Sequence, residues 1–145
     1  MPRDWPPQLP PAFYQGLDEL NAGDYYRCHE TLESLWIPER RSVRELYQSV
    51  IQIAVGCYHL TARANWIGAT RKLHEGARRL DRAGPGAGAY GVDWAGLVAQ
   101  ADRLRDHLRA LGPERVGDFD RALLPLVRFD RPTRAARSSR LSPPC

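Results

Sequence analysis

Apolar residues recur at helical spacing through most of the first 111 positions. Phe13, Leu17 and Leu20 share one face of a segment spanning Ala12–Asn21, the i, i+4, i+7 pattern that lays a stripe along an α-helix. Asn21-Ala22-Gly23-Asp24 reads as a stop, a turn and a new N-cap. A second helix, Tyr25–Trp36, gathers Tyr25, Cys28, Leu32, Leu35 and Trp36 on one arc, and Pro38 ends it. Ser42, followed three residues later by Glu45, has the form of a capping box opening a third helix, Val43–Ala64. Asn65 caps a fourth, Trp66–Arg82, and Asp93 a fifth, Trp94–Leu111. Gly84 to Gly91 is too rich in glycine for a stable helix and reads as a flexible connection; a shorter sixth element, weakened by Pro125, is expected within Arg115–Val127. No segment alternates as a strand would. The pattern predicts an all-α protein, a compact bundle of five to six helices. It divides into a proline-rich lead-in (1–11), a helical core (12–111), a short helical extension (112–130) and a disordered Arg/Ser/Pro tail (131–145).

The third helix stands apart. Leu46, Tyr47, Val50, Ile51, Ile53, Ala54, Val55, Cys57, Tyr58 and Leu60 surround most of its circumference, so it should be central. Its one remaining arc holds Gln48, Gln52, Gly56, His59 and Arg63. Solvent-facing stripes elsewhere in the chain are built from Arg, Glu and Asp. Amides and an imidazole are groups that tolerate burial when hydrogen-bonded, so this arc reads either as an ordinary exposed stripe or as an internal polar site. On the second helix, Tyr26, His29, Glu30 and Glu33 form a matching polar arc beside Trp36.

A histidine with a carboxylate one turn on suits two tasks: it can hold a divalent metal, or act as an oriented general base. The bland alternative is a surface His29–Glu33 pair of small structural value. If the second and third helices pack antiparallel, His29, Glu33 and His59 form a two-His-one-carboxylate set suited to a divalent metal, with Gln48 and Gln52 orienting a ligand. Glu30 is then the acid/base candidate. The zinc-protease pattern is not matched, because Glu33 stands where its second His would be. His74 and His107 lie among charges and are expected to be solvated.

Composition narrows the rest. The chain has 145 residues, 43% of them hydrophobic, enough for one core. The net charge of +4 is carried by Arg131, Arg134, Arg137 and Arg140, in a terminal stretch without an acid. The body is therefore electroneutral by count, which argues against nucleic-acid binding driven by bulk charge. Three cysteines, Cys28, Cys57 and Cys145, form no C-x-x-C pair, which points away from a disulfide framework or zinc knuckle and toward the reducing cytoplasm. The start has no apolar signal region, and the longest uncharged run, Leu46–Ala62, is short for a membrane span and polar in places.

The run Asn21-x-Gly23-x-Tyr25-Tyr26-x-x-His29-Glu30-x-Leu32-Glu33-x-x-Trp36 resembles the opening motif of the family catalogued as domain of unknown function 309. Leu46-Tyr47-Gln48-Ser49-Val50-Ile51-Gln52-Ile53-Ala54-Val55-Gly56-x-Tyr58-His59 resembles that family's second motif, Arg63-x-Asn65-x-x-Gly68-Ala69 its third, and Val92-Asp93-Trp94 a later element. The resemblance covers residues 13–110. It implies a compact multi-helical fold with His29, Glu30, Glu33, Trp36, Gln48 and His59 as signature side chains, and no established activity. Ser49 and Ala64 stand where the family usually has glycine, and Ile37 where Arg often follows the Trp. Two readings follow: a module binding a small ligand or a protein partner through Tyr26, His29, Glu30, Glu33, Trp36, Gln48, Gln52 and His59, or a metal-dependent hydrolase using His29, Glu33 and His59. The aromatic-rich helices permit a homodimer without demanding one.

Overall fold

The computed structural model describes residues 4–132, and the tail expected to be disordered lies, from residue 133 on, outside them. Five α-helices follow one another: α1 (Pro11–Asn21), α2 (Tyr25–Trp36), α3 (Arg44–Arg63), α4 (Trp66–Ala83) and α5 (Trp94–Leu111). Each packs on its chain neighbour, and α3 lies between α2 and α4. Among the described residues there is no β-strand, only one antiparallel bridge, Val92 to Phe129. The all-α expectation holds, and the helix ends fall within a residue of those read from the pattern. No helix among the described residues is long and apolar enough to cross a membrane.

Local chemistry explains most of the boundaries. The Asn65 and Asp93 side chains accept from the Gly68 and Gly96 amides at 2.9 and 3.0 Å, capping α4 and α5 as expected. Asp24 makes no such bond at the start of α2. The Ser42–Glu45 capping box does not form either. Ser42 is engaged instead by the chain's beginning: its amide and hydroxyl donate to Asp4, and its oxygen accepts from the Trp5 indole at 2.9 Å. Glu45 turns to Arg79 of α4. A distant carboxylate and guanidinium outcompeted the local motif.

The glycine-rich segment is a second departure. Gly84–Tyr90 is a 3-10 helix, not a flexible connection. Gly84 seats the Trp94 ring so closely that a Cβ there would lie 2.6 Å from it, and Tyr90 stacks on Trp5 with ring centroids 6.0 Å apart. Small residues here permit close packing rather than mobility. The anticipated sixth helix appears as two 3-10 segments, Pro113–Asp118 and Arg121–Leu123.

Thirty-one hydrophobic residues from Trp5 to Val127 form one buried cluster, so both flanks of the 12–111 span contribute. On the general scale each fully buried Leu, Ile or Phe contributes about 1.5–3 kcal/mol, and α3 supplies Leu46, Val50, Ile53 and Leu60. Two amide clamps fasten the C-terminal segment. Asn21 exchanges hydrogen bonds with the Val127 backbone at 2.9 and 2.8 Å, and Gln100 does the same with Leu126 at 2.8 and 2.9 Å. Arg131 pairs with Asp18.

Candidate functional site

Antiparallel packing places the start of α2 against the end of α3. Tyr26 meets Tyr58 with centroids 5.5 Å apart, and at the other end Arg44 lies 4.7 Å from the Trp36 ring centre, a cation–π contact. Between these contacts runs a groove with α3 as its floor. One hollow, about 180 Å³, is lined by His29, Glu33 and Trp36 of α2, Gln48, Ile51, Gln52 and Val55 of α3, and Lys72 of α4. A second, about 190 Å³, holds Tyr25, Tyr26, Tyr58, His59 and Arg63 and shares His29 and Val55 with the first.

His29 sits at the junction. Its Nε2 lies 2.7 Å from Glu33 Oε2, one turn along α2, and the two side chains are 27% and 42% exposed. In the neutral imidazole this contact requires the hydrogen on Nε2, leaving Nδ1 as a lone-pair acceptor. Tyr26 packs on the same ring, centroids 5.6 Å apart. The pair is thus oriented from two sides yet reachable by solvent.

The polar arc of α3 divides. Gln48 faces the groove. Gln52 is buried to 7% exposure and turned toward α4: its Nε2 donates to Glu75 at 3.3 Å and its Oε1 accepts from Arg79 Nε at 3.1 Å. Lys72 pairs with the same Glu75 oxygen at 3.0 Å. Gly56 lets α4 approach, since a Cβ there would come within 3.1 Å of the Leu73 amide nitrogen. His59 packs against Gly68, whose Cβ would lie 2.9 Å from the imidazole. Burial first, then the Arg63 and Lys72 charges, hold the His59 imidazole below its ordinary value. Its Nδ1 is buried without a partner. A lone pair there costs less than a stranded N–H, which favours the tautomer protonated at Nε2.

The expected metal set does not assemble. His29, Glu33 and His59 do not form a ligand set: among the described residues no three His, Cys, Asp or Glu side chains gather as a metal site. The cause is the turn of the α3 arc toward α4, which packs His59 on Gly68 while Glu33 stays on His29. Glu30, the acid/base candidate, is exposed and lines neither hollow. His107 is not merely solvated; its Nε2 accepts from the Asp120 amide at 2.9 Å. His74 is exposed, with Nδ1 2.8 Å from Arg105 Nη1.

Lys72, Tyr58 and Arg63 line the groove but were not among the expected site residues. Lys72 sits in the Arg71-Lys72 pair, which looks like solvated charge, and Tyr58 looks like core. Their signal is register: Lys72 lies seven positions beyond the Asn65 cap, two turns into α4. Cys28 and Cys57 are free and buried. Burial pushes the Cys57 thiol up to about 12 and Cys28 higher still.

The chain is 29% identical over 119 residues to "Uncharacterized protein YpuF" of Bacillus subtilis (strain 168), a stretch covering 81% of this chain and 65% of that protein's length. No solved structure matches it. A family match spans residues 13–72, from α1 into α4, so it takes in the His29 and His59 motifs and leaves Asp93-Trp94 outside. Over residues 13–72, therefore, the chain is similar to the family described as Domain of unknown function (DUF309).

Proposed function

We propose that the groove over α3 binds a small ligand with a hydrogen-bonding head and a flat apolar body. The observation that carries this reading is the His29–Glu33 pair, 2.7 Å apart at the junction of two hollows. Half-exposed ion pairs contribute only about 0–1 kcal/mol to stability, so folding alone is a weak reason for this arrangement. Glu33 fixes the ring and leaves Nδ1 as an acceptor. Gln48 and Lys72 supply donors on one side, and Tyr26, Tyr58 and Val55 an apolar wall on the other. Free, buried Cys28 and Cys57 suit a reducing, cytoplasmic setting.

Because the dyad also has the form of a base held by a carboxylate, a second reading is proton abstraction from the bound ligand by His29 Nδ1, with no metal. The test is a ligand-observed NMR screen of planar polar fragments against the wild type and His29→Ala. Fragments whose binding is lost in His29→Ala, while its melting stays within about 1 kcal/mol of wild type, support the reading. A variant that binds every fragment as before, or one that melts far earlier because the pair is structural, refutes it.

A further inference from the structure

A larger hollow, about 460 Å³, opens at the other end of the bundle, where the start of α3 meets the end of α4. Its charged wall is Glu45 of α3 with Arg79 and Arg82 of α4. Its apolar wall is Trp5, Ala83 and Pro85. Trp5 is 7% exposed and anchored through its indole to Ser42. The Asp4 carboxylate that Ser42 binds is held below its ordinary range by those hydrogen bonds. The site is thus closed on one side by the beginning of the chain.

Arg79 is only partly satisfied. Its Nε donates to Gln52 and one terminal nitrogen pairs with Glu45, whose side chain is 46% exposed. Arg82 is exposed and has no ion-pair partner among the described residues. We propose that this hollow binds a small organic phosphate monoester, its phosphoryl group held between Arg79 and Arg82 after displacing Glu45.

Three physical points favour that ligand. Two guanidinium groups three residues apart on one helix match the charge and the tetrahedral oxygens of a phosphate dianion. The negative end of α4 opposes an anion with about half a charge, which two full positive charges outweigh. A free monocarboxylate is disfavoured because Glu45 already offers that group intramolecularly, at an effective concentration on the order of millimolar. The volume falls within the usual range for small-molecule sites, about 300–1,000 Å³, and leaves room beside the apolar wall for an organic body. This site is separate from the α3 groove, although Arg79 touches Gln52.

Inorganic phosphate, phenyl phosphate and acetate, at matched ionic strength, are titrated into the full ¹⁵N-labelled chain while the Trp5 indole N–H is followed. The proposal expects a saturable shift with both phosphates, tighter for phenyl phosphate, and none with acetate. Arg82→Gln, at an exposed position, should weaken phenyl phosphate at least tenfold. Glu45→Gln, which removes the internal competitor, should tighten it several-fold. A Trp5 signal that does not saturate, an equal response to acetate, or a Glu45→Gln variant that binds no better overturns the proposal. Groove resonances of His29 and Tyr26 should stay in place throughout, so this result is independent of the groove reading; movement there as large as at Trp5 would contradict separate sites.

Discussion

Replacing Gly76 by alanine probes the contact that sets the spacing of α3 and α4. A Cβ at Gly76 would lie 2.7 Å from Ile53 Cγ1, 2.9 Å from the Ile53 amide nitrogen and 2.9 Å from the Ser49 carbonyl oxygen. The last two atoms belong to the α3 backbone and cannot rotate aside, so the helices must separate. Overpacking of this kind costs about 1–3 kcal/mol, and a clash against backbone belongs at the upper end. Alanine returns about 1 kcal/mol of helix propensity. The net expectation is a loss of about 2 kcal/mol, against the usual sense of a Gly→Ala change inside a helix. With a urea slope of about 2 kcal/mol/M the midpoint falls by about 1 M at unchanged slope. Gly117→Ala, where a Cβ meets nothing within 4 Å, is the control and should leave the midpoint nearly unmoved. A Gly76→Ala protein as stable as wild type would refute the claim that α3 and α4 meet backbone to backbone.

Other outcomes follow from single positions. Ala64 ends α3 in the left-handed region, φ 47°, which costs a Cβ-bearing residue about 1–2 kcal/mol; Ala64→Gly should raise stability by about 0.5–1 kcal/mol after the added unfolded-state entropy, read as a higher urea midpoint. The lowered His59 value means the unfolded chain takes up the extra proton first. Stability from this group is whole above the ordinary value of 6.5 and is lost as pH falls through it toward the folded value. His59→Gln should therefore flatten the change in urea midpoint between about pH 7.5 and 5.5, and an unaltered slope would contradict a depressed His59. Cys28 and Cys57, buried and held as thiols, should resist iodoacetamide at about pH 8 and react only in denaturant; native labelling of either, seen by peptide mass analysis, would show the α2/α3 seam to be open.

The sequence on its own determined the helices, because a period of 3.6 and the caps Asn65 and Asp93 are local quantities read over a few residues. It also marked α3 as central, since a helix apolar around most of its girth has nowhere else to go. The pairing of His29 with Glu33 was legible for the same reason, one turn of one helix. Tertiary structure decided everything that depended on a partner far along the chain. Ser42 and Glu45 abandoned their capping box for Asp4, Trp5 and Arg79. The glycine-rich stretch became a packed 3-10 helix once Trp94 and Trp5 were beside it. Gln52 and His59 turned to α4 rather than completing a set with His29, because Gly56, Gly68 and Gly76 let α4 come closer to α3 than any side chain would allow. Helical angle states which residues share a face; only the depth of contact between faces states which neighbour that face meets.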